Sequence, residues 1–101
     1  MKVITVCGSY KYQKEMQEIT EKLALQGNCL LTPIELTKKN KDAYSIKELA
    51  LLGNMHKEKI KLSDAILVVN VNNYIGESTK SEIEYAKSLD KEIIYYTDLI
   101  K

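Results

Sequence analysis

The feature that most constrains this chain is an unbroken apolar run, Ala65 to Val69. A strand with apolar side chains on both faces must be covered on both faces, as the central strand of a parallel sheet is. Further strand patterns occur on either side of this run, and they alternate with apolar positions at helical spacing. The predicted strands span 3–7, 29–32, 65–69 and 92–96, and the predicted helices span 13–26, 46–62 and 78–89.

Strands that alternate with helices predict right-handed βαβ units and an open parallel sheet. We therefore predict an α/β fold, a single Rossmann-like or flavodoxin-like domain whose four parallel strands lie in the order 2-1-3-4 between helices. The chain has 101 residues, of which 45% are hydrophobic. This is about the usual size of one domain, so residues 1–101 are assigned to a single domain.

The charge balance limits the class of partner. The formal net charge is +1 and every basic residue is Lys, which argues against a nucleic-acid scaffold held by bulk charge. A phosphate would have to be held by main-chain amides, hydroxyls and Lys, because no guanidinium group is available. We predict that Cys7 and Cys29 are reduced core thiols, and we predict no metal site and no cofactor.

The chain starts directly with a strand pattern, so no signal peptide is expected. Its longest unbroken apolar run, Ala65 to Val69, is far shorter than a membrane span. The expectation is a cytoplasmic protein that binds neither a membrane nor nucleic acid.

The strand order predicts where a ligand would bind. Open parallel sheets bind ligands at the carboxyl ends of the strands, where the strand order reverses. In the order 2-1-3-4 this point lies between the first and third strands, and it gathers Gly8-Ser9-Tyr10 and residues 70–79. Gly8 allows the main chain to approach a ligand closely. We predict Gly8, Ser9 and Tyr10 as ligand-binding residues.

The segment Gly76-Glu77-Ser78-Thr79 opens the third helix. Free amides at a helix start, with two hydroxyl groups beside them, suit a phosphate or a carboxylate. The alternative is an ordinary N-cap. Tyr74, on the preceding loop, either stacks on a base or is a surface tyrosine. We predict Gly76, Ser78, Thr79 and Tyr74 as ligand-binding residues.

Glu82 is a charged residue on an apolar helix face. Residues advance about 100° each around a helix, which places Glu82 within the inward stripe that Ile83, Ala86 and Leu89 define and points Glu84 to solvent. An inward Glu is costly unless it meets water, a partner or a ligand. The alternative is a capping box, in which Glu82 returns to the amide of Thr79.

His56 is the corresponding polar residue of the second helix. Its inward stripe is defined by four residues, Ile46, Leu49, Gly53 and Ile60. A histidine there is either a satisfied core residue or part of a site. Both residues belong to helices that flank the central strand, which favours a shared functional site that includes Glu82 and His56.

The outward side of the second helix carries Leu51, Met55 and Leu62. A solvated helix does not favour such a stripe. We therefore expect a homo-oligomer, a dimer or a tetramer, formed through this helix.

Three segments together resemble a known family. They are Val6-Cys7-Gly8-Ser9, the run from Ser63 to Val69, and the run from Gly76 to Ala86. They are similar to the nucleoside 2-deoxyribosyltransferase superfamily, which includes the deoxynucleoside 5′-monophosphate N-glycosidases. The most specific part is the last segment, where the family has a glycine loop followed by Glu, an aliphatic residue, a small or polar residue, an aromatic or basic residue, and Ala.

The resemblance implies that Glu82 is a nucleophile that attacks the anomeric carbon of the sugar as the base leaves. The helix start is expected to keep this carboxylate ionised. His56 and Gly76 stand where the family has Asp residues, and Tyr10 corresponds to a family tyrosine. His56 is expected to serve as the acid or as a sugar contact.

These observations predict a nucleoside- or nucleotide-binding protein that cleaves or transfers an N-glycosidic bond through Glu82. The alternative is a non-catalytic module that binds or senses a nucleotide, and a third possibility is an interaction protein with a vestigial pocket. Whether the chain is an enzyme is left open at this point.

Overall fold

The computed structural model of the chain describes residues 1–38 and 40–101. These residues form four β-strands: β1 Val3–Gly8, β2 Cys29–Leu31, β3 Ala65–Val69 and β4 Glu92–Tyr95. They also form four α-helices: α1 Gln13–Leu25, α2 Ile46–Leu62, α3 Glu77–Ser88 and α4 Tyr96–Leu99. Short 3-10 turns lie at Tyr10–Tyr12, Lys41–Ala43 and Val71–Asn73. No helix in the described part of the chain is both long enough and apolar enough to span a membrane.

The four strands form one parallel sheet in the order β2-β1-β3-β4, which confirms the predicted α/β fold and strand order. Strand β1 pairs with β3 in a register that runs from Ile4 opposite Ala65 to Gly8 opposite Val69. Every residue of β3 is buried, as the unbroken apolar run predicts for a central strand.

The sheet is covered on both faces because alternate residues of a strand point to opposite sides. On one face, Val6 and Leu67 belong to an apolar cluster with Ile19 of α1. On the other face, six buried residues of β1, α2, β3 and α3 form a second cluster: Cys7, Ile60, Ile66, Val68, Ile83 and Ala86. Cys7 therefore lies on the face that α2 and α3 cover.

Helix α2 begins at a capping box. The Glu48 amide donates to the Ser45 hydroxyl at 3.0 Å, and the Ser45 amide donates to the Glu48 carboxylate at 2.8 Å. The helix has 17 residues and is therefore about 25 Å long, whereas a strand of five residues is only about 17 Å long. The first turns of α2 consequently extend past the carboxyl end of the sheet.

The predicted inward stripe of α2 is therefore only partly right. Leu49 is half-buried, and His56 and Ile60 are buried, but Ile46 is 89% exposed and Gly53 is exposed. Ile46 is the first residue of α2, in the part of the helix that extends beyond the strands. Leu89 is likewise exposed, because it follows the last residue of α3, where the helical spacing stops.

Candidate functional site

A cavity of about 640 Å³ lies at the carboxyl end of β1, between α2 and α3. The part of α2 that extends beyond the sheet forms one wall with Leu49, Leu52 and Gly53. All nine residues predicted from the sequence line this cavity: Gly8, Ser9, Tyr10, His56, Tyr74, Gly76, Ser78, Thr79 and Glu82. The point at which the strand order reverses is thus where they converge.

The start of α3 forms the opposite wall. Gly76 is its N-cap residue, and no side chain caps the helix. The amides of the first turn, which includes Ser78 and Thr79, lack intrahelical acceptors, as at any helix start. This end of the helix therefore offers amides and the positive end of its dipole to the cavity.

Glu82 does not take part in a capping box. The predicted alternative requires Thr79 to be the N-cap residue, but the N-cap residue is Gly76 and Thr79 is a buried residue of the first turn of α3. The Glu82 side chain instead faces α2, where its Oε2 lies 3.8 Å from Nε2 of His56. The alternative interpretation of Glu82 is therefore wrong, and the inward interpretation is confirmed.

The pair of His56 and Glu82 is mostly buried. The His56 side chain is 9% exposed and the Glu82 side chain is 19% exposed, whereas Glu84 on the same helix is 77% exposed. The thiol of Cys7, which is fully buried, lies 3.5 Å from Nε2 of His56. His56 Nδ1 is buried and makes no hydrogen bond to any residue that the structure describes.

Burial sets the charge of Glu82. It raises the pKa of this carboxyl to about 6, although a hydrogen bond with Cys7 and the charge of Lys57 both act to lower it. The shift opposes the ionisation that was predicted for this carboxylate, because burial disfavours the charged form. At pH 7 the carboxylate is still mostly ionised.

Burial acts on the other two groups as well. It lowers the pKa of His56 to about 4, with Lys59 acting in the same direction. Burial, together with the nearby Glu82 carboxylate, raises the pKa of the Cys7 thiol well above its usual range. At neutral pH the cluster therefore contains a neutral imidazole, a protonated thiol and a single negative charge on Glu82.

Gly8 is a point of close packing at the base of the cavity. A Cβ atom there would lie 3.2 Å from Val69 Cβ and 3.3 Å from Met16 Sδ. Ser9 follows it, and its hydroxyl accepts a hydrogen bond from the Lys11 amide at 3.3 Å. A larger residue than glycine would have to displace its neighbours.

The hydroxyl of Tyr10 is engaged by the main chain. It donates to the Ile34 carbonyl at 2.7 Å and accepts from the Leu36 amide at 3.2 Å. Tyr10 thus holds the segment after β2 against the cavity, and its ring is the part left for a ligand.

Tyr74 is exposed to about the same extent as Tyr10, 44% against 46%. Its ring centroid lies 6.0 Å from that of Tyr12, and the Lys11 ammonium lies 4.7 Å from its ring centroid. A flat ligand can reach this ring from the cavity side.

Sequence reasoning missed the role of Cys7 in the cluster and the presence of Lys59 on the cavity wall. One signal for Cys7 was available. Adjacent strand residues point to opposite faces, so a thiol next to Val6 must face the helices on the other side of the sheet. Nothing comparable was available for Lys59, because its neighbours depend on how α2 sits on the sheet. The thiols of Cys7 and Cys29 are both free.

A second cavity, of about 660 Å³, lies beside α1 and the carboxyl end of β2. It shares Gly8 and Tyr10 with the first cavity and carries Glu18, Glu21 and Glu35. Neither Glu82 nor His56 lines it. The cavity at α3 carries two glutamates, Glu77 and Glu82, and also Lys59, whereas the second cavity carries three glutamates and no lysine.

No protein-family model matches this chain, and no curated protein is detectably similar to it.

Proposed function

We propose that this chain binds a nucleoside or a nucleotide in the cavity between α2 and α3 and cleaves or transfers its N-glycosidic bond through Glu82. The observation that carries the proposal is the position of the Glu82 carboxylate. It is 19% exposed, it lines the cavity, and it belongs to the helix whose uncapped start forms the same wall.

The cavity suits the three parts of a nucleotide. Its volume of about 640 Å³ lies within the range of small-molecule sites. A phosphate would be placed at the start of α3, near Ser78 and Thr79, where amides and the helix dipole favour negative charge. The base would stack on Tyr74, and the sugar would then lie near Glu82.

The chemistry follows from the ionised carboxylate. A Glu82 oxygen attacks the anomeric carbon, the bond from that carbon to the base nitrogen breaks, and its electron pair leaves with the base. Water then attacks the same carbon and releases the Glu82 carboxylate, and the proton that the water loses ends on the base nitrogen. The products are the free base and the sugar, or the sugar phosphate when the substrate is a nucleotide. If a second base takes the place of water, the same intermediate gives transfer.

His56 is better suited to contacting a sugar hydroxyl than to acting as an acid. Its pKa of about 4 leaves it uncharged at neutral pH, and a general acid works best with a pKa near the working pH. This observation favours a second function, in which the cavity holds a nucleotide without cleaving it. The protein would then be a binding or sensing module.

Chromatography of free base separates the two functions. The protein is incubated with a panel of nucleosides and their 5′-monophosphates, and Glu82→Gln is compared with Glu84→Gln, which changes an exposed glutamate of the same helix. Release of base that is lost only in Glu82→Gln supports the enzyme. Saturable binding without release of base supports the sensor. If the protein shows no binding and releases no base, both functions are overturned.

A further inference from the structure

Three metal-ligating atoms converge beside the cavity from three different elements. Cys7 of β1, His56 of α2 and Glu82 of α3 each present one such atom, and these atoms all lie within 4.8 Å of one another. Two of the side chains are almost fully buried and the third is partly exposed to the cavity. The group was not visible as a spacing in the sequence because the fold assembles it.

Two of the three distances within this group are close to those of a zinc site, and the third, between Cys7 and Glu82, is no more than 4.8 Å. Tetrahedral zinc binds sulfur at about 2.3 Å and nitrogen at about 2.0 Å, which separates the two ligand atoms by about 3.5 Å. Sγ of Cys7 and Nε2 of His56 are 3.5 Å apart. Nε2 of His56 and Oε2 of Glu82 are 3.8 Å apart, which is too long for a hydrogen bond and about 0.5 Å longer than in a zinc site.

Nε2 is the nitrogen of His56 that faces the other two groups, at 3.5 Å from Cys7 Sγ and 3.8 Å from Glu82 Oε2. Binding a metal through Nε2 places the ring proton on Nδ1, which is buried and makes no hydrogen bond to any described residue. With the proton on Nδ1, the lone pair of Nε2 points to the side where Cys7 and Glu82 lie.

We propose that Cys7, His56 and Glu82 form a Zn²⁺ site with three protein ligands and a fourth position that opens into the cavity. One sulfur, one nitrogen and one oxygen ligand suit Zn²⁺, whereas Mg²⁺ and Ca²⁺ require mainly oxygen. A thiolate and a carboxylate also balance the two charges of the ion, so the buried site becomes electrically neutral.

The site competes with the role of Glu82 as a nucleophile, because a carboxylate bound to zinc is not available to attack a sugar. Zinc and a reactive Glu82 are therefore alternative states of one cluster. Metal binding can be tested without a nucleotide, so its failure and the failure of the proposed function are distinguishable.

Cobalt titration tests the proposal directly, because Co²⁺ replaces Zn²⁺ in such sites and a thiolate ligand gives it a charge-transfer absorption band. The full chain is freed of metal with a chelator and titrated with Co²⁺. We expect one Co²⁺ per chain with a thiolate band and visible bands of four-coordinate cobalt, which added Zn²⁺ abolishes. Calorimetry in buffers of different ionisation enthalpy should show release of about one proton per metal near pH 7.5, from Cys7.

The two free cysteines provide a matched pair of variants. Cys29→Ser should keep the band and Cys7→Ser should lose it, with circular dichroism used to establish that each variant is folded. If Cys7→Ser does not fold, Glu82→Gln decides, because that side chain is partly exposed, and its metal affinity should fall by about tenfold or more. The proposal is overturned if no thiolate band forms, if Cys29→Ser loses it, or if Cys7→Ser or Glu82→Gln binds cobalt as the wild-type protein does.

Discussion

Glu82 and His56 belong to different helices, yet their side chains meet at 3.8 Å beside the carboxyl end of the sheet. The contact depends on β3, because both helices pack on the face of the sheet that carries Ile66 and Val68. Each of the two residues is polar on an apolar helix face. Together with Cys7 they form a polar cluster at the edge of the core, and both helix residues of this cluster line the cavity.

Replacing Glu82 should alter how stability depends on pH. Its pKa is about 6 in the folded protein against an ordinary value of 4.5, so the folded state holds this proton more tightly than the unfolded state does. The resulting stabilisation is present below pH 4.5 and is lost as the pH rises through 6. Burial of the charge then costs about 1–2 kcal/mol at pH 7.5, allowing for partial exposure.

Urea unfolding at pH 4 and pH 7.5 measures this effect. We compare the free energy of unfolding of Glu82→Gln with that of the wild-type protein. The difference, variant minus wild type, should be about 1–2 kcal/mol larger at pH 7.5 than at pH 4. Because His56 titrates in both proteins, its opposite contribution cancels in the comparison to first order. Glu84→Gln should show no such pH dependence, and an equal effect in both variants would contradict the charge state assigned to Glu82.

If the chain cleaves the N-glycosidic bond, the rate should rise with pH through about 6. The nucleophile must be ionised, and the pKa of Glu82 is about 6. The dependence of kcat/KM on pH reports this group in the free protein. A rate that instead falls between pH 5 and pH 7 would indicate that the protonated form of Glu82 is the active one.

Tyr74 should contribute to binding through its ring alone. Stacking of a base on an aromatic side chain contributes about 1–3 kcal/mol, so Tyr74→Leu should weaken the binding of a nucleotide by about 5- to 150-fold. Tyr74→Phe keeps the ring and is the matched control, and it should bind as the wild-type protein does. Calorimetric titration measures all three affinities, and unchanged binding in Tyr74→Leu would exclude stacking on this residue.

Two glycines at the cavity should respond in opposite ways to replacement by alanine. In Gly8→Ala the new methyl group would press on Val69 and Met16 at 3.2–3.3 Å, which should lower the free energy of unfolding by about 1–3 kcal/mol. In Gly53→Ala the new methyl group has no neighbour within 4 Å, and the residue lies inside α2. The free energy of unfolding should therefore rise by about 0.5–1 kcal/mol. Denaturation by urea measures both changes. Equal stability of the two variants would contradict the packing at Gly8.

The outward stripe of α2 remains the predicted contact between copies of the chain. Leu51, Met55 and Leu62 are all exposed, so Leu51→Lys with Met55→Lys should convert an oligomer to a monomer in light scattering. Leu25→Lys is the control, since Leu25 is an exposed leucine of α1. A wild-type protein that is monomeric at micromolar concentration would contradict the prediction.

The strands and helices were predictable from local patterns, and the strand order and the position of the candidate site followed from the topology of parallel βαβ units. The run Ala65–Val69 identified the central strand, and the alternation of strands and helices then placed Gly8 and Gly76 at one edge. The inward direction of Glu82 was predictable from the helical spacing. These features need no knowledge of how far one element extends past another.

The remaining features depend on the assembled protein. Ile46 is exposed because α2 is longer than the strands. Helix α4 has only four residues, which is too few to show the helical spacing of apolar residues. The contact of Cys7 with His56 joins residues from β1 and α2, and no spacing in the chain records it. The raised pKa of Glu82 follows from the burial of its side chain in the cavity wall, which depends on the fold.

A crystal structure of the Glu82→Gln variant soaked with a nucleoside 5′-monophosphate tests the central claim most directly. The account predicts a nucleotide in the cavity between α2 and α3, with its phosphate at Ser78 and Thr79, its base on Tyr74 and its anomeric carbon beside residue 82. A nucleotide bound instead in the cavity beside α1, or a cavity that stays empty when the soak exceeds the measured Kd, would contradict it.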